Sequence, residues 1–161
     1  MIFRKAKEDE KNLLFKQGYT EWSKNRSFTQ YCLDNSQEDA YGTRYVLEEK
    51  GEIVSSAILL DFQASLGEKI FGIGSVLTPP HCRGKGYARK LLKNCIDLVF
   101  DEQSMIFLYS DIDPGFYEKL KFRLLPAPLQ KYEKSPCLVL CHHQVWQEFL
   151  RSKEKTVPNY F

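Results

Sequence analysis

The residues able to do chemistry cluster in Ser75 to Ala88, SVLTPPHCRGKGYA: an apolar strand, a Pro-Pro stop, a basic glycine-rich turn and the start of an amphipathic helix. Gly84 and Gly86 let the backbone turn its N–H groups inward and admit a ligand close to the main chain. The helix that follows aims its positive end at the same point. The pattern predicts a pyrophosphate cradle. Arg83 and Lys85 add cations at the turn, whereas Arg89, Lys90 and Lys93 serve equally well as a solvated helix face. A P-loop fits poorly, because the lysine lies between two glycines and no Ser or Thr follows to hold magnesium. A dinucleotide fingerprint fits no better, since Tyr87, Ala88 and Arg89 follow Gly86 and the segment lies in the middle of the chain.

Arg83-Gly84-Lys85-Gly86-Tyr87-Ala88 matches Arg/Gln-x-x-Gly-x-Gly/Ala and resembles the acyl-CoA pyrophosphate loop of the GCN5-related N-acetyltransferase (GNAT) superfamily. One helix and one strand later, as that family requires, DPGFYEKLKF (Asp113 to Phe122) is similar to its F-Y-x-x-x-G-F segment. The combination SVLTPP, RGKGYA and LYSDIDPGFY is further similar to fungal lysine N-acetyltransferases and related bacterial proteins. The resemblance covers nearly the whole chain. It implies a mixed central sheet flanked by helices, acetyl-CoA as co-substrate, and acetyl transfer to a primary amine by direct attack in a ternary complex. It also implies residue roles: Val76, Leu77 and Thr78 beside the pantetheine arm near a strand bulge, and Arg83, Gly84, Lys85, Gly86, Tyr87 and Ala88 around the pyrophosphate. Ser110 lies near where a cofactor-contacting Asn is common, and Tyr117 aligns with the general acid. In the residues themselves, Gly72 and Gly74 share one face of the strand with Val76 and Thr78, leaving room for a ligand or for another packed element.

Acetyl transfer needs a neutral amine, a polarised thioester carbonyl and a proton for the departing thiolate. A phenol at Tyr117 can supply that proton; its other reading is a core aromatic beside Phe116. The family's strand glutamate falls at Gly74 here, so the usual base is missing. Asp61, Asp111, Asp113 and His81 remain as candidates, each with a loop or capping explanation, and a water relay or an amine arriving deprotonated is the expectation. Asp111 and Asp113 also suit an incoming ammonium group, consistent with a small amine or lysine-like acceptor. Lys121 replaces the family's glycine before Phe122. A non-catalytic CoA-binding sensor that kept the turn and lost turnover is the alternative function.

Hydrophobic periodicity supplies the elements that must hold these groups. A short edge strand is expected at Ile2 to Ala6, a helix from Glu8 to Lys24, and a second helix from Ser27 to Leu33. Strands Thr43 to Glu49 and Glu52 to Asp61 form a hairpin through Lys50-Gly51, and Lys69 to Thr78 is the strand before the turn. The stripe Ala88, Leu91, Leu92, Cys95, Ile96, Val99 and Phe100 marks a helix to about Glu102. Met105 to Tyr109 is a buried strand, Pro114 opens a brief helix through Leu120, and Phe122 to Leu125 and Cys137 to Cys141 close the sheet. Gln144 to Lys155 carries a last helical register, so residues 1–161 read as one α/β domain with a C-terminal helix and tail over 144–161. Trp22, Tyr31 and Tyr41 are expected to wall an acceptor pocket.

With 161 residues, 43% of them hydrophobic, the chain can bury a core without disulfides or structural metal. Its net charge of +2 does not mark a nucleic-acid binder. Five cysteines (Cys32, Cys82, Cys95, Cys137, Cys141) without a CxxC pair argue against a disulfide framework or a zinc ribbon. Adjacent Cys141-His142-His143 point different ways on a strand, and no metal is expected. Cys82 is expected to be an exposed thiol. No apolar run is long enough for a signal peptide or a membrane span, so a cytoplasmic monomer or homodimer is expected.

Overall fold

The structure is a computed structural model that describes residues 1–67 and 69–161. Its strands are β1 (Ile2–Lys5), β2 (Gly42–Glu49), β3 (Glu52–Asp61), β4 (Ile70–Leu77), β5 (Met105–Tyr109), β6 (Arg123–Leu124) and β7 (Cys137–Leu140). The helices are α1 (Lys11–Trp22), α2 (Phe28–Ser36), α3 (Tyr87–Val99), α4 (Gly115–Glu118) and α5 (His143–Arg151). One mixed seven-stranded sheet runs in the order β1-β2-β3-β4-β5-β7-β6, flanked by the five helices, as the predicted α/β class requires. Two units can be distinguished, Met1–Leu60 with Ser75–Cys95, and Asp61–Gly74 with Ile96–Phe161.

In the first unit β1 and β2 pair antiparallel from Ile2↔Glu48 to Lys5↔Tyr45, and β2 and β3 form the expected hairpin. Lys50 (φ 52°) and Gly51 (φ 83°) both take the left-handed backbone that a tight two-residue turn demands. The first helix is shorter than its periodicity suggests. Glu8–Glu10 form a separate 3-10 turn, held because Glu10 accepts from Lys7 N (2.7 Å) and takes both Nη groups of Arg4. Arg4 also bonds Glu48 on β2, so the entry to α1 is tied to the sheet. The second helix is longer than expected: Ser27 caps it, accepting from Gln30 N (3.1 Å), and no breaker intervenes before Ser36. Tyr31 is its one buried residue, edge-on to Tyr19 at 5.6 Å.

In the second unit β5 pairs antiparallel with β7 from Ile106↔Leu140 to Tyr109↔Cys137, and Phe107, Leu138 and Val139 are fully buried at its centre. Parallel pairing of β4 with β5 is recorded from Ile70↔Met105 to Gly72↔Phe107. The long helix stops at Val99, three residues early, because Asp101 turns back to cap a loop: its N–H donates to Ser104 Oγ and its carboxylate accepts from Gln103 N. The tail beyond α5 is ordered against this unit. Tyr109 donates its hydroxyl proton to Pro158 O, and the Phe161 ring lies 5.4 Å from that of Phe62. A Cβ on Gly72 would come within 2.7 Å of both Phe62 and Phe161. The space above Gly72, open to a ligand in the sequence reading, is therefore filled by packed aromatic rings.

Candidate active site

The turn after β4 is built around two left-handed glycines. Pro80–Cys82 make a 3-10 turn, Arg83 returns to extended backbone, and Gly84 (φ 77°) and Gly86 (φ 79°) adopt the left-handed conformation. A Cβ at either glycine would meet nothing within 4 Å, so the space over both is open. The α3 ladder begins only at Lys90 N, which donates to Gly86 O at 3.1 Å. Among the described residues, none of the six preceding N–H groups, Gly84 to Arg89, has a hydrogen-bond acceptor. Six consecutive N–H groups without an acceptor at a helix start, beside two side-chain-free positions, concentrate partial positive charge at this turn.

The side chains around the turn are already engaged. Arg83 donates through Nε to Thr78 O (3.0 Å) and through Nη2 to Glu21 on α1 (2.7 Å). Tyr87 donates to Glu49, and that hydrogen bond, followed by burial, raises the phenol pKa. Cys82 is 3% exposed rather than open, which corrects the expectation of a surface thiol: the 3-10 turn folds its side chain inward. Burial raises its pKa, with the Glu52 charge adding to the effect. His81 pairs with Glu52 as well, and Glu52, His81 and Cys82 bring their ligand atoms within 4.8 Å of one another, the group best placed to meet a metal ion among the described residues.

The strand leading into the turn is irregular. Ser75 sits at φ 48°, the left-handed region, inside β4. A non-glycine residue there costs about 1–2 kcal/mol and disrupts the pleat in the manner of a bulge. Ser55 Oγ donates to Leu77 O at 2.9 Å and lies 3.0 Å from Thr78 Oγ1, while Val76 is half-buried.

Beneath this strand end, within the first unit, α1 and α2 roof a cavity of about 20 Å³, roughly the space of one water molecule. Phe15, Trp22 and Tyr31 form its aromatic wall, and Arg44, Ser56 and Ser75 contribute polar groups. Two of the three aromatic residues expected there are present. Tyr41 is not on the wall and is 41% exposed. Sequence reasoning missed Phe15 and Arg44. The only signal for Arg44 was a charge in an apolar strand, beside Tyr45 and Val46. Gly18 also has its reason here, since any larger residue would collide with the Tyr31 hydroxyl.

In the second unit Tyr117 lies in α4, buried to 6% exposure, edge-on to Phe116 at 5.0 Å. Burial, and then the Asp111 charge, push its pKa up to about 12. Its hydroxyl has no hydrogen-bond partner among the described residues. The Ser110 hydroxyl is occupied locally, donating to Ile112 O at 2.8 Å. Asp111 accepts from Ser135 and Tyr160, Asp113 accepts from Gly115 N (3.1 Å), and Asp61 accepts from Gln63 N (2.9 Å). Each candidate base thus has a structural partner, and His142 stacks on Phe100 at 4.9 Å.

A protein-family model described as "Acetyltransferase (GNAT) domain" matches residues 3–125, well over half of the chain. The chain belongs to the GNAT acetyltransferase family. No curated protein matches the sequence. Solved structures share the fold at low identity. A GNAT-family acetyltransferase from Staphylococcus aureus superposes with a TM-score of 0.63 at 17% identity, over 86% of this chain and 96% of that one. An acetyltransferase from Streptococcus agalactiae gives 0.63 at 15%, over 88% and 98%. A Mycobacterium tuberculosis protein in complex with CoA gives 0.62 at 15%, over 96% and 84%. None of the helices described in this GNAT chain is long and apolar enough to cross a membrane.

Proposed function

We propose that this chain transfers the acetyl group of acetyl-CoA to a small primary amine by direct attack. The observation that carries the reading is the run of six unpartnered N–H groups from Gly84 to Arg89 beneath two open glycines. Acetyl-CoA supplies the activated acyl thioester. The N–H groups of Gly84, Lys85, Gly86, Tyr87 and Ala88 hold its pyrophosphate, with Arg83 as a cation released from Glu21 for that purpose. Main-chain groups of Val76, Leu77 and Thr78, next to the Ser75 bulge, line the pantetheine arm, and Ser110 shapes the loop after β5 through its bond to Ile112.

Tyr117 Oη gives a proton to the departing thiolate as the amine nitrogen bonds to the carbonyl carbon and the carbon–sulfur bond breaks. The proton lost by the amine passes to water, since every carboxylate and histidine suggested as base is held by a structural partner. With a pKa near 12, the phenol keeps its proton throughout the range in which amines become nucleophilic. The test is thiol release from acetyl-CoA with a panel of amino acids, polyamines, aminoglycosides and lysine peptides. Release with at least one amine is expected. Tight acetyl-CoA binding without release for any amine would replace this reading with a cofactor sensor.

A further inference from the structure

Within the first unit, Glu52 at the start of β3 meets the adjacent residues His81 and Cys82 of the 3-10 turn after β4, so three different donor types come to one place. Their ligand atoms all lie within 4.8 Å of one another. Cys82 Sγ is 3.9 Å from Glu52 Oε1, and His81 Nε2 is in direct contact with the same oxygen. Neighbouring residues usually diverge too far to share an ion. In a turn of about three residues per circuit they stand about 120° apart, and here the long imidazole and the short thiol still reach one carboxylate. No local pattern announces the set, since Glu52 stands 29 positions before His81 and 30 before Cys82.

The donor types decide the class of ion. A thiol, an imidazole and one carboxylate suit a borderline-soft transition ion, whereas calcium and magnesium take oxygen ligands. Bonds of about 2.3 Å to sulfur and about 2.1 Å to oxygen at a tetrahedral angle put those two atoms about 3.6 Å apart, so Cys82 Sγ and Glu52 Oε1 need only a small closing movement. Cys82, 3% exposed, anchors one ligand in the fold. The His81 and Glu52 side chains are 66% and 55% exposed and can part to admit the ion. The surrounding charge favours a cation, because Glu49 adds a second carboxylate near Cys82 against a single lysine, Lys85.

We propose that Glu52, His81 and Cys82 bind a divalent transition ion of the zinc class, which clips the turn before Arg83 to the start of β3. Glu52 Oε1, His81 Nε2 and Cys82 Sγ are the ligands, and water completes the tetrahedron on the exposed side. The Cys82 proton leaves to solvent as the sulfur–metal bond forms, and the imidazole binds in its neutral form. The site takes no part in the proton transfers of acetyl transfer, and its test does not depend on turnover.

The experiment titrates fully reduced, untagged protein with Co2+, whose bond to a thiolate gives a near-ultraviolet charge-transfer band, and with Zn2+ by calorimetry. One Zn2+ per chain is expected, together with a cobalt–thiolate band that Cys82→Ser abolishes. His81→Ala and Glu52→Ala change mostly exposed side chains, so they remain informative where Cys82→Ser, at a buried position, fails to fold. Each should weaken Zn2+ binding at least tenfold, because even groups that only touch a metal ligand are worth about 10–100-fold in affinity. Absence of the thiolate band in the wild type overturns the proposal. So does a Zn2+ affinity that either His81→Ala or Glu52→Ala leaves unchanged, or a band that survives in folded Cys82→Ser, since the metal would then sit elsewhere, for instance on the half-buried Cys32.

Discussion

Arg83 cannot serve a phosphate while it is bonded to Glu21, so replacing Glu21 with Gln should tighten acetyl-CoA binding. The pair is short, at 2.7 Å, but its side chains are 52% and 38% exposed. An ion pair that open to water is worth about 0.2–1 kcal/mol. If that energy must be given up on binding, its removal improves affinity by about 1.4- to 5-fold, using RT of about 0.59 kcal/mol. Calorimetric titration of acetyl-CoA at low salt would read this directly, and the gain should shrink as salt screens the pair. Deleting a negative charge near an anionic ligand helps in any case, so a double-mutant cycle with Arg83→Gln is needed. Arg83→Gln alone should weaken binding, and Glu21→Gln should add little in that background. An unchanged dissociation constant in Glu21→Gln, or an equal gain with and without Arg83, would refute the latch.

Gly86→Val should leave the protein folded, about 1–2 kcal/mol less stable because of φ 79°, while acetyl-CoA affinity falls at least tenfold as the side chain fills the open space; unchanged calorimetric affinity would remove the cradle. Tyr117→Phe should lower turnover roughly ten- to a thousandfold with acetyl-CoA affinity near wild type, and unchanged turnover with chemistry limiting would remove the proton donor. The wild-type rate should climb with pH to the acceptor amine's own pKa and not fall below pH 10, because the Tyr117 phenol titrates at about 12; a plateau near neutrality would reveal a dedicated base. Glu10→Gln should cost about 1–3 kcal/mol by denaturant melts. The Arg4 hydrogen bond lowers the Glu10 pKa from 4.5 to about 2, so the stability it provides is complete above pH 4.5 and lost as pH falls toward 2, a limb the variant should lack.

What the sequence determined by itself was local. The Lys50-Gly51 hairpin, the Ser27 cap, the α3 stripe and the left-handed glycines of the cradle depend on residues within a few positions of one another, where turn chemistry and periodicity act. The family motifs at Arg83 to Ala88 and Asp113 to Phe122 were legible for the same reason, each being a short contiguous run.

Contacts between distant segments were decided only by tertiary structure. Phe161 covers Gly72 from the far end of the chain, which turned an apparent ligand groove into packed rings. Glu21 reaches Arg83 across 62 positions, and no pattern in either segment announces the pair. Cys82 is buried although its neighbours are polar, because a 3-10 turn sends successive side chains in different directions. Arg44 sits in a strand whose alternation gives its face but not its surroundings. Only the packing of α1 and α2 over that face places its guanidinium in a cavity with Tyr31 and Ser56, since burial is a property of what lands on a surface and not of the surface alone.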